Sequence, residues 1–298
     1  MIIFWWWHQA PRIKSGALET NLKEQETLRF FAFGDFGNGS IDQLKVAAAM
    51  AKRCQEQKDN GLMMHGLLLL GDNFLPHGVN STSDGAWSTK LLDVYGGPCL
   101  GQLPFYPVLG NHDYQGSPRV EIEKTAELPR WHMPHRFYSV TFGRMLRLIA
   151  FDSTFPDVCG VDTLCSIDFL KDQLYNGDIK WRIVFAHHPI VTFSEKYGRK
   201  YFNFYRYFMT RILCDYADAY LAGHSHMLEY HRISECMTSF AVSGGGGSSP
   251  YQPIPGASPE FAVPSYGFLE IELFTSQLIF RYFSEDNKLL FQKQVEKL

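Results

Sequence analysis

Five short polar motifs, each set at the end of an apolar run, constrain this chain more than any other feature. They are GDFG (Gly34 to Gly37), GDN (Gly71 to Asn73), GNHD (Gly110 to Asp113), HHP (His187 to Pro189) and GHSH (Gly223 to His226). The runs they close, LRFFAFG, LLLLG, FYPVLG, WRIVFA and DAYLAG, read as buried strands. Four of the motifs open with glycine, which permits the tight turn that aims the next side chain inward. Sites in open α/β sheets form at the carboxyl ends of strands, so five strand-end motifs can converge on one place. Their ligand types are Asp35, Asp72, Asn111, His187, His224 and His226. Carboxylate and amide oxygens mixed with imidazoles suit iron, manganese or zinc, whereas a magnesium site carries few histidines. Six ligands are too many for one tetrahedral ion and suit a pair sharing one carboxylate, roughly 3.5–4 Å apart. A single GD after a strand is an ordinary turn; the ordered set of five carries the argument.

The rest of the sequence describes the body around this cluster. With 298 residues, 45% apolar and 20% charged, the chain is not disordered and can bury a large core. Its 31 acidic and 28 basic side chains give a formal charge of -3, without the basic excess of a nucleic-acid binder. No apolar run reaches the length of a spanning helix. The opening MIIFWWW is apolar but short and lacks a basic flank, so residues 1–27 read as an N-terminal appendage or a signal-like remnant, and 28–298 as the domain. Ser40 with Gln43 forms a capping-box start for a helix to about Gln55, with Leu44, Ala47, Ala48 and Ala51 on its inner face. A hairpin is expected over Arg136 to Asp152, a helix capped by Ser166, another over Tyr205 to Cys214, and mostly strands in the last sixty residues. The fold class that follows is α/β, a sandwich of two facing mixed β-sheets with helices outside.

Six cysteines, with no CxxC pair, are too scattered for a disulfide framework or a zinc ribbon, and read by default as free thiols. Cys159 and Cys165 can pair in an oxidising compartment. The glycine run SGGGGSS (Ser243 to Ser249) has no helix behind it, so it reads as a flexible loop near the site mouth and not as a phosphate-binding loop. His188 is expected to pack or line the rim, Asp113 to stabilise its turn, and Tyr114 and Phe74 to belong to the core.

The order of motifs resembles the calcineurin-like metallophosphoesterases, and within them the small purple acid phosphatases of the tartrate-resistant type. The stretches GDNFLPHGV, PFYPVLGNHDYQG, RWHMPHRFYSVTF and SGGGGSSP carry the likeness beyond the motifs, which covers about Leu28 to Leu298. The resemblance implies a four-layer α/β/β/α sandwich, two metal ions (Fe, Mn or Zn), and hydrolysis of phosphate monoesters by metal-activated hydroxide, best at acidic pH. It implies that Asp35 and His226 hold one metal, that Asn111, His187 and His224 hold the other, and that Asp72 bridges. His112 is implied as the catalytic acid and phosphate clamp. It further implies a small phosphate-ester substrate (nucleotide and phosphoprotein included), a monomeric state and a leaning towards extracytoplasmic sites.

Three positions depart from the pattern. Leu75 stands where purple enzymes carry the tyrosine that binds ferric iron and gives the colour, and His77, two residues on, is either its replacement or a surface histidine. Gly37 stands where other metallophosphoesterases supply a histidine, and Lys196 where one is common nine residues after His187. Two alternatives therefore stay open: a phosphodiesterase or nucleotide pyrophosphatase on the same scaffold, and a catalytically weakened metal-binding protein.

Overall fold

The computed structural model describes residues 18–20, 27–154, 162–197, 203–214 and 216–297. In chain order the first elements are β1 (Leu18–Thr20), β2 (Leu28–Phe33), α1 (Ile41–Asp59), β3 (Gly66–Leu69), β4 (Phe105–Pro107), α2 (Pro118–Glu123), β5 (Tyr138–Phe142) and β6 (Leu146–Ala150). Then come α3 (Asp162–Tyr175), β7 (Trp181–Phe185), α4 (Asn203–Leu213), β8 (Ala219–Ala222), β9 (Leu228–Arg232), β10 (Ser239–Ser243) and β11 (Phe261–Val263). Three long strands close the chain: β12 (Gly267–Leu273), β13 (Gln277–Ser284) and β14 (Leu289–Glu296).

The strands form two mixed sheets. One runs β1-β5-β6-β7-β8-β10-β9-β11 and the other β14-β13-β12-β2-β3-β4. Strands β2, β3 and β4 pair in parallel, as do β6, β7 and β8, so both sheets send the carboxyl ends of parallel strands to one place. β2, β3 and β8 are buried along their whole length, which explains why they read as unbroken apolar runs and not as alternating ones. The sheets meet face to face through aromatic contacts such as Phe30 with Phe142, ring centroids 5.2 Å apart and edge-on. On the outer face of the larger sheet, Ile167, Leu170 and Leu174 of α3 and Met209 and Leu213 of α4 close a second apolar cluster over Ile149, Val184 and Tyr220. Helix α1 covers the smaller sheet. The expected α/β sandwich is what the chain forms.

Several local expectations change. Ser40 does cap α1, its hydroxyl accepting the Gln43 N–H at 3.1 Å, while the Gln43 side chain reaches back to Gly39. The buried face of α1 is Gln43, Val46, Ala47, Met50 and Cys54, whereas Leu44 is exposed. The apolar stripe is rotated because Gln43 is drawn inward by the Lys90 carbonyl and the Tyr95 hydroxyl. Ser166 lies inside α3, which starts at Asp162, and is not its cap. Leu18–Thr20, within the segment read as an appendage, pairs in parallel with β5 at the sheet edge.

The cysteines are corrected too. Cys54 is bonded to Cys99 and Cys214 to Cys236, so four of the six expected free thiols are paired. The first ties α1 to the loop before β4, and the second ties the end of α4 to the turn before β10. Their separations of 45 and 22 residues give no spacing motif to read in the sequence. Of the expected Cys159–Cys165 pair, Cys159 lies outside the described residues.

Candidate metal centre

The five motifs meet beyond the ends of β2, β3, β4, β7 and β8. Asp35, Asp72, His187 and His224 are buried there, Asn111 and His226 half-buried, and His112 lies at the opening. Four of the residues in this group, Asp35, Asp72, His224 and His226, have φ between 43° and 64°. That left-handed backbone is uncommon outside glycine and is found where a fold holds strain at a working site. Here it turns each chain sharply off its strand and sends the side chain back between the sheets.

Hydrogen bonds fix how each imidazole presents itself. His187 Nδ1 donates to the Leu70 carbonyl (2.8 Å), His226 Nδ1 to that of Ser249 (3.1 Å), and His112 Nδ1 to that of Pro76 (2.6 Å). Each therefore turns a bare Nε2 towards the centre. His187 Nε2 stands 3.1 Å from Asn111 Oδ1, 3.1 Å from His224 Nδ1 and 3.5 Å from Asp72 Oδ1. Three ligand-type atoms thus converge on His187 Nε2. His226 Nε2 faces Asp35 Oδ1 at 3.4 Å, and that buried oxygen has no hydrogen-bond donor among the described residues. Donor atoms of Asp35, Asp72 and His187 all lie within 4.8 Å of one another, as do those of His187, His188 and His224. Converging lone pairs and an unsatisfied buried carboxylate oxygen are costly alone and are what a cation would satisfy. The donor set therefore fits metal binding.

Electrostatics agree. Burial disfavours a charged His187, yet the carboxylates of Asp72 and Asp35 outweigh it and raise its pKa. His226 behaves likewise, burial opposing and Asp35 prevailing. His224, by contrast, is held well below the usual range by burial and by His188 and His187. Positive charge is drawn to the carboxylate side of the cluster, and neutral imidazole is favoured on the other.

The remaining candidates fall out as follows. Asp113 accepts the N–H groups of Gly110 (2.7 Å), Asn73 (3.2 Å) and Phe74 (3.1 Å), tying the GDN and GNHD loops together. Burial, then the charge of Asp72, pushes its carboxyl up to about 7. His188 is buried beneath His187 and His224, with Nδ1 3.1 Å from Ser153 Oγ, and does not line the rim. Phe74 is core, packed on Trp87, while Tyr114 is half-buried and donates to Asp152. His77 is exposed, its Nδ1 2.8 Å from Gln115 Oε1, and stands outside both donor groups. Position 37 has no room for a histidine: a Cβ on Gly37 would lie 1.8 Å from the Asn73 carbonyl oxygen.

The run Ser243 to Ser248 is buried and not a flexible loop. It wedges against the GDFG turn, with Ser248 N–H donating to the Asp35 carbonyl (2.9 Å) and Gly246 N–H to that of Gly34 (3.1 Å). A Cβ on Gly246 would come within 2.4 Å of the Gly34 oxygen, so glycine is required by close packing. Two residues that motif reading passed over also border the centre: Tyr251, whose ring lies flat on His226 (4.2 Å, 12°), and Tyr197, stacked on His224 (4.3 Å, 26°). Nothing in their local sequence marks them, because stacking across loops has no spacing signature.

Two mixed sheets with a carboxylate-and-imidazole cluster at their shared strand ends define a metallophosphoesterase. The family model described as calcineurin-like phosphoesterase matches residues 28–228, and the chain belongs to that family. Among curated proteins it is 28% identical to tartrate-resistant acid phosphatase type 5 of Oryctolagus cuniculus, over 91% of each chain. It is 27% identical to purple acid phosphatase 3 of Arabidopsis thaliana, over 75% of this chain and 64% of that one. Among solved structures, GAP50, the anchor in the inner membrane complex of Plasmodium, superposes with a TM-score of 0.76 at 22% identity, covering 91% of this chain and 89% of that one. The purple acid phosphatase PPD1 of yellow lupin (Lupinus luteus) superposes at 0.66 and 16% identity, over 92% of this chain and 54% of its own. No described helix is long and apolar enough to cross a membrane.

Proposed function

We propose that this chain is a dinuclear-metal phosphomonoesterase acting at mildly acidic pH. The observation that carries the reading is the convergence on His187 Nε2 of Asn111, His224 and Asp72, with Asp35 and His226 beside them. Asn111, His187 and His224 would hold one cation, Asp35 and His226 the other, and Asp72 would serve both. When bound, such a pair supplies Lewis acidity at phosphate oxygens and acidifies a water molecule.

The chain's own residues do the rest. Asp72 is held for a shared role by the His112 N–H, which donates to its Oδ1 at 2.9 Å and fixes the carboxylate plane. His112 Nε2 stands 3.9 Å from Asp72 Oδ2 at the accessible edge of the cluster, with Nδ1 anchored on Pro76. A protonated Nε2 there can neutralise a phosphate oxygen and pass its proton to the departing alcohol oxygen. Ser153 Oγ accepts the N–H groups of both His187 and His188 (3.1 and 2.8 Å), so the HHP turn is held against β6 while substrate binds and leaves. The two disulfides support a site of action in an oxidising, extracytoplasmic compartment.

The test is steady-state hydrolysis of an aryl phosphate monoester against the corresponding bis-ester, with and without added manganese, iron or zinc. The monoester should have the higher kcat/KM, with turnover dependent on metal. Preference for the bis-ester would instead make the chain a phosphodiesterase, and absence of turnover on either, with metal bound, would make it a metal-binding protein.

A further inference from the structure

Ser153 fixes where His188 carries its proton. It lies buried just past β6, and its hydroxyl oxygen accepts two backbone N–H groups, from His187 at 3.1 Å and from His188 at 2.8 Å. A hydroxyl oxygen has two lone pairs, so both are taken. The same oxygen stands 3.1 Å from His188 Nδ1. A proton on Nδ1 would bring a third donor to an oxygen with no lone pair left, and would deprive the hydroxyl proton of its acceptor. The hydroxyl therefore donates to Nδ1, and the ring carries its own proton on Nε2. The backbone is fixed as well, since the His188 carbonyl accepts the Tyr220 hydroxyl at 2.8 Å.

His188 is the third member of an imidazole cluster. One nitrogen each of His187, His188 and His224 lies within 4.8 Å of the others, and the His188 ring packs 4.9 Å from that of His187 and 4.4 Å from that of His224. Two zinc–nitrogen bonds of about 2.1 Å nearly span the distance between nitrogens, so a small rotation would bring all three onto one ion. A neutral imidazole has a single lone pair, however, and in His188 the Ser153 proton occupies it. From this arrangement we infer that Ser153 governs metal selection: by holding the only lone pair of His188, it keeps a third imidazole off the ion held by Asn111, His187 and His224. The donors left to that ion are two imidazoles and the oxygens of Asn111 and Asp72. Such a set is open to manganese and divalent iron as well as zinc, whereas a third imidazole would favour zinc. The inference rests on the two-cation reading above and names what sets its metal preference.

The test starts from metal-free protein and measures its affinities for zinc and for manganese by competition with a chelator. Wild type is compared with Ser153→Ala, Ser153→Thr, His188→Phe and the double variant Ser153→Ala with His188→Phe. Ser153→Ala frees the lone pair, and the preference for zinc over manganese should rise about tenfold, in the range of changes made behind a metal ligand. Ser153→Thr keeps the hydroxyl and should keep the wild-type ratio. His188→Phe should keep it too, and the double variant should return to it. A rise that persists in the double variant would overturn the inference, as would a fall in His188→Phe alone, which would make His188 a ligand already. Nitrogen NMR of the imidazole rings provides a check on wild type that no variant's folding can confound. It should place the His188 proton on Nε2 before and after zinc loading; a proton on Nδ1, or loss of the Nε2 proton on loading, would contradict the assignment. An unchanged ratio in Ser153→Ala would overturn the role of Ser153 and leave the two-cation reading intact. A wild type that binds neither metal would overturn the two together.

Discussion

At the scale of single residues, the proposed ligands and the group that handles substrate are distinct side chains. His112 contributes its backbone N–H to Asp72 and its ring to the opening, and its backbone contribution survives replacement of the side chain. His112→Ala should therefore keep bound metal near wild type while lowering turnover by roughly two to four orders of magnitude, the range of a general acid. Elemental analysis beside steady-state rates checks both halves, and marked metal loss would make His112 a ligand. Leu75 leads to a second expectation. It is half-buried and carries no donor atom, and the nearby Tyr251 presents its ring to His226 with its hydroxyl taken by Lys196. Iron-loaded protein should be colourless or pale, without a tyrosinate-to-iron band at roughly 500 nm, and should favour divalent over ferric ions at the Asp35 side. A strong visible band would place a phenolate on the metal.

Between elements, the centre depends on struts that lie outside the motifs. Glu229, fully buried on β9, accepts from Thr192 Oγ1, Phe193 N–H and His231 Nε2, each at 2.7 Å, and so ties the segment after the HHP turn to the sheet. The Ser225 hydroxyl of the GHSH turn donates to Thr192 Oγ1 in the same network (2.8 Å). Glu229→Ala strands these buried donors and should cost about 3 kcal/mol of stability. Denaturant titration measures that loss, and competition with a chelator should show weaker metal retention. A stable variant with unchanged metal affinity would mean that the turn holds its shape without the strut.

Over the whole molecule, pH acts on the fold as well as on the chemistry. Burial, and then the neighbouring Arg29 charge, lowers the pKa of His65 to about 4. In the unfolded chain it titrates near 6.5, so the neutral buried imidazole contributes stability that is present above about 6.5 and lost as pH falls towards 4. The loss can reach about 3 kcal/mol, which makes the mildly acidic range proposed for activity one in which the fold is weakened. Melting temperatures from pH 7 to 4 should fall less steeply for His65→Gln than for wild type; parallel slopes would assign the acid sensitivity elsewhere.

Much of this architecture was legible before the structure. Buried parallel strands such as LLLLG announce themselves as apolar runs, and Gly-Asp and Gly-His pairs at their ends mark the turns. The inner face of α1 was not legible, because buried Gln43 is polar and its partners, Lys90 and Tyr95, are distant in sequence. The disulfides, the Tyr–His stacking and the glycine wedge share that cause: each joins segments separated in sequence that only the assembled sheets bring together. Left-handed φ at Asp35, Asp72, His224 and His226 is likewise set by tertiary packing, since only glycine adopts it without steric cost.

The central claim is that two cations share Asp72. Elemental analysis of metal bound to wild type and to Asp72→Asn, both purified and loaded alike, tests it most directly, because a shared carboxylate offsets the repulsion between the ions. Wild type should hold about two metal ions per chain, and Asp72→Asn at most one, with nearly all phosphatase activity gone. A fully active Asp72→Asn protein that still holds two would contradict the account.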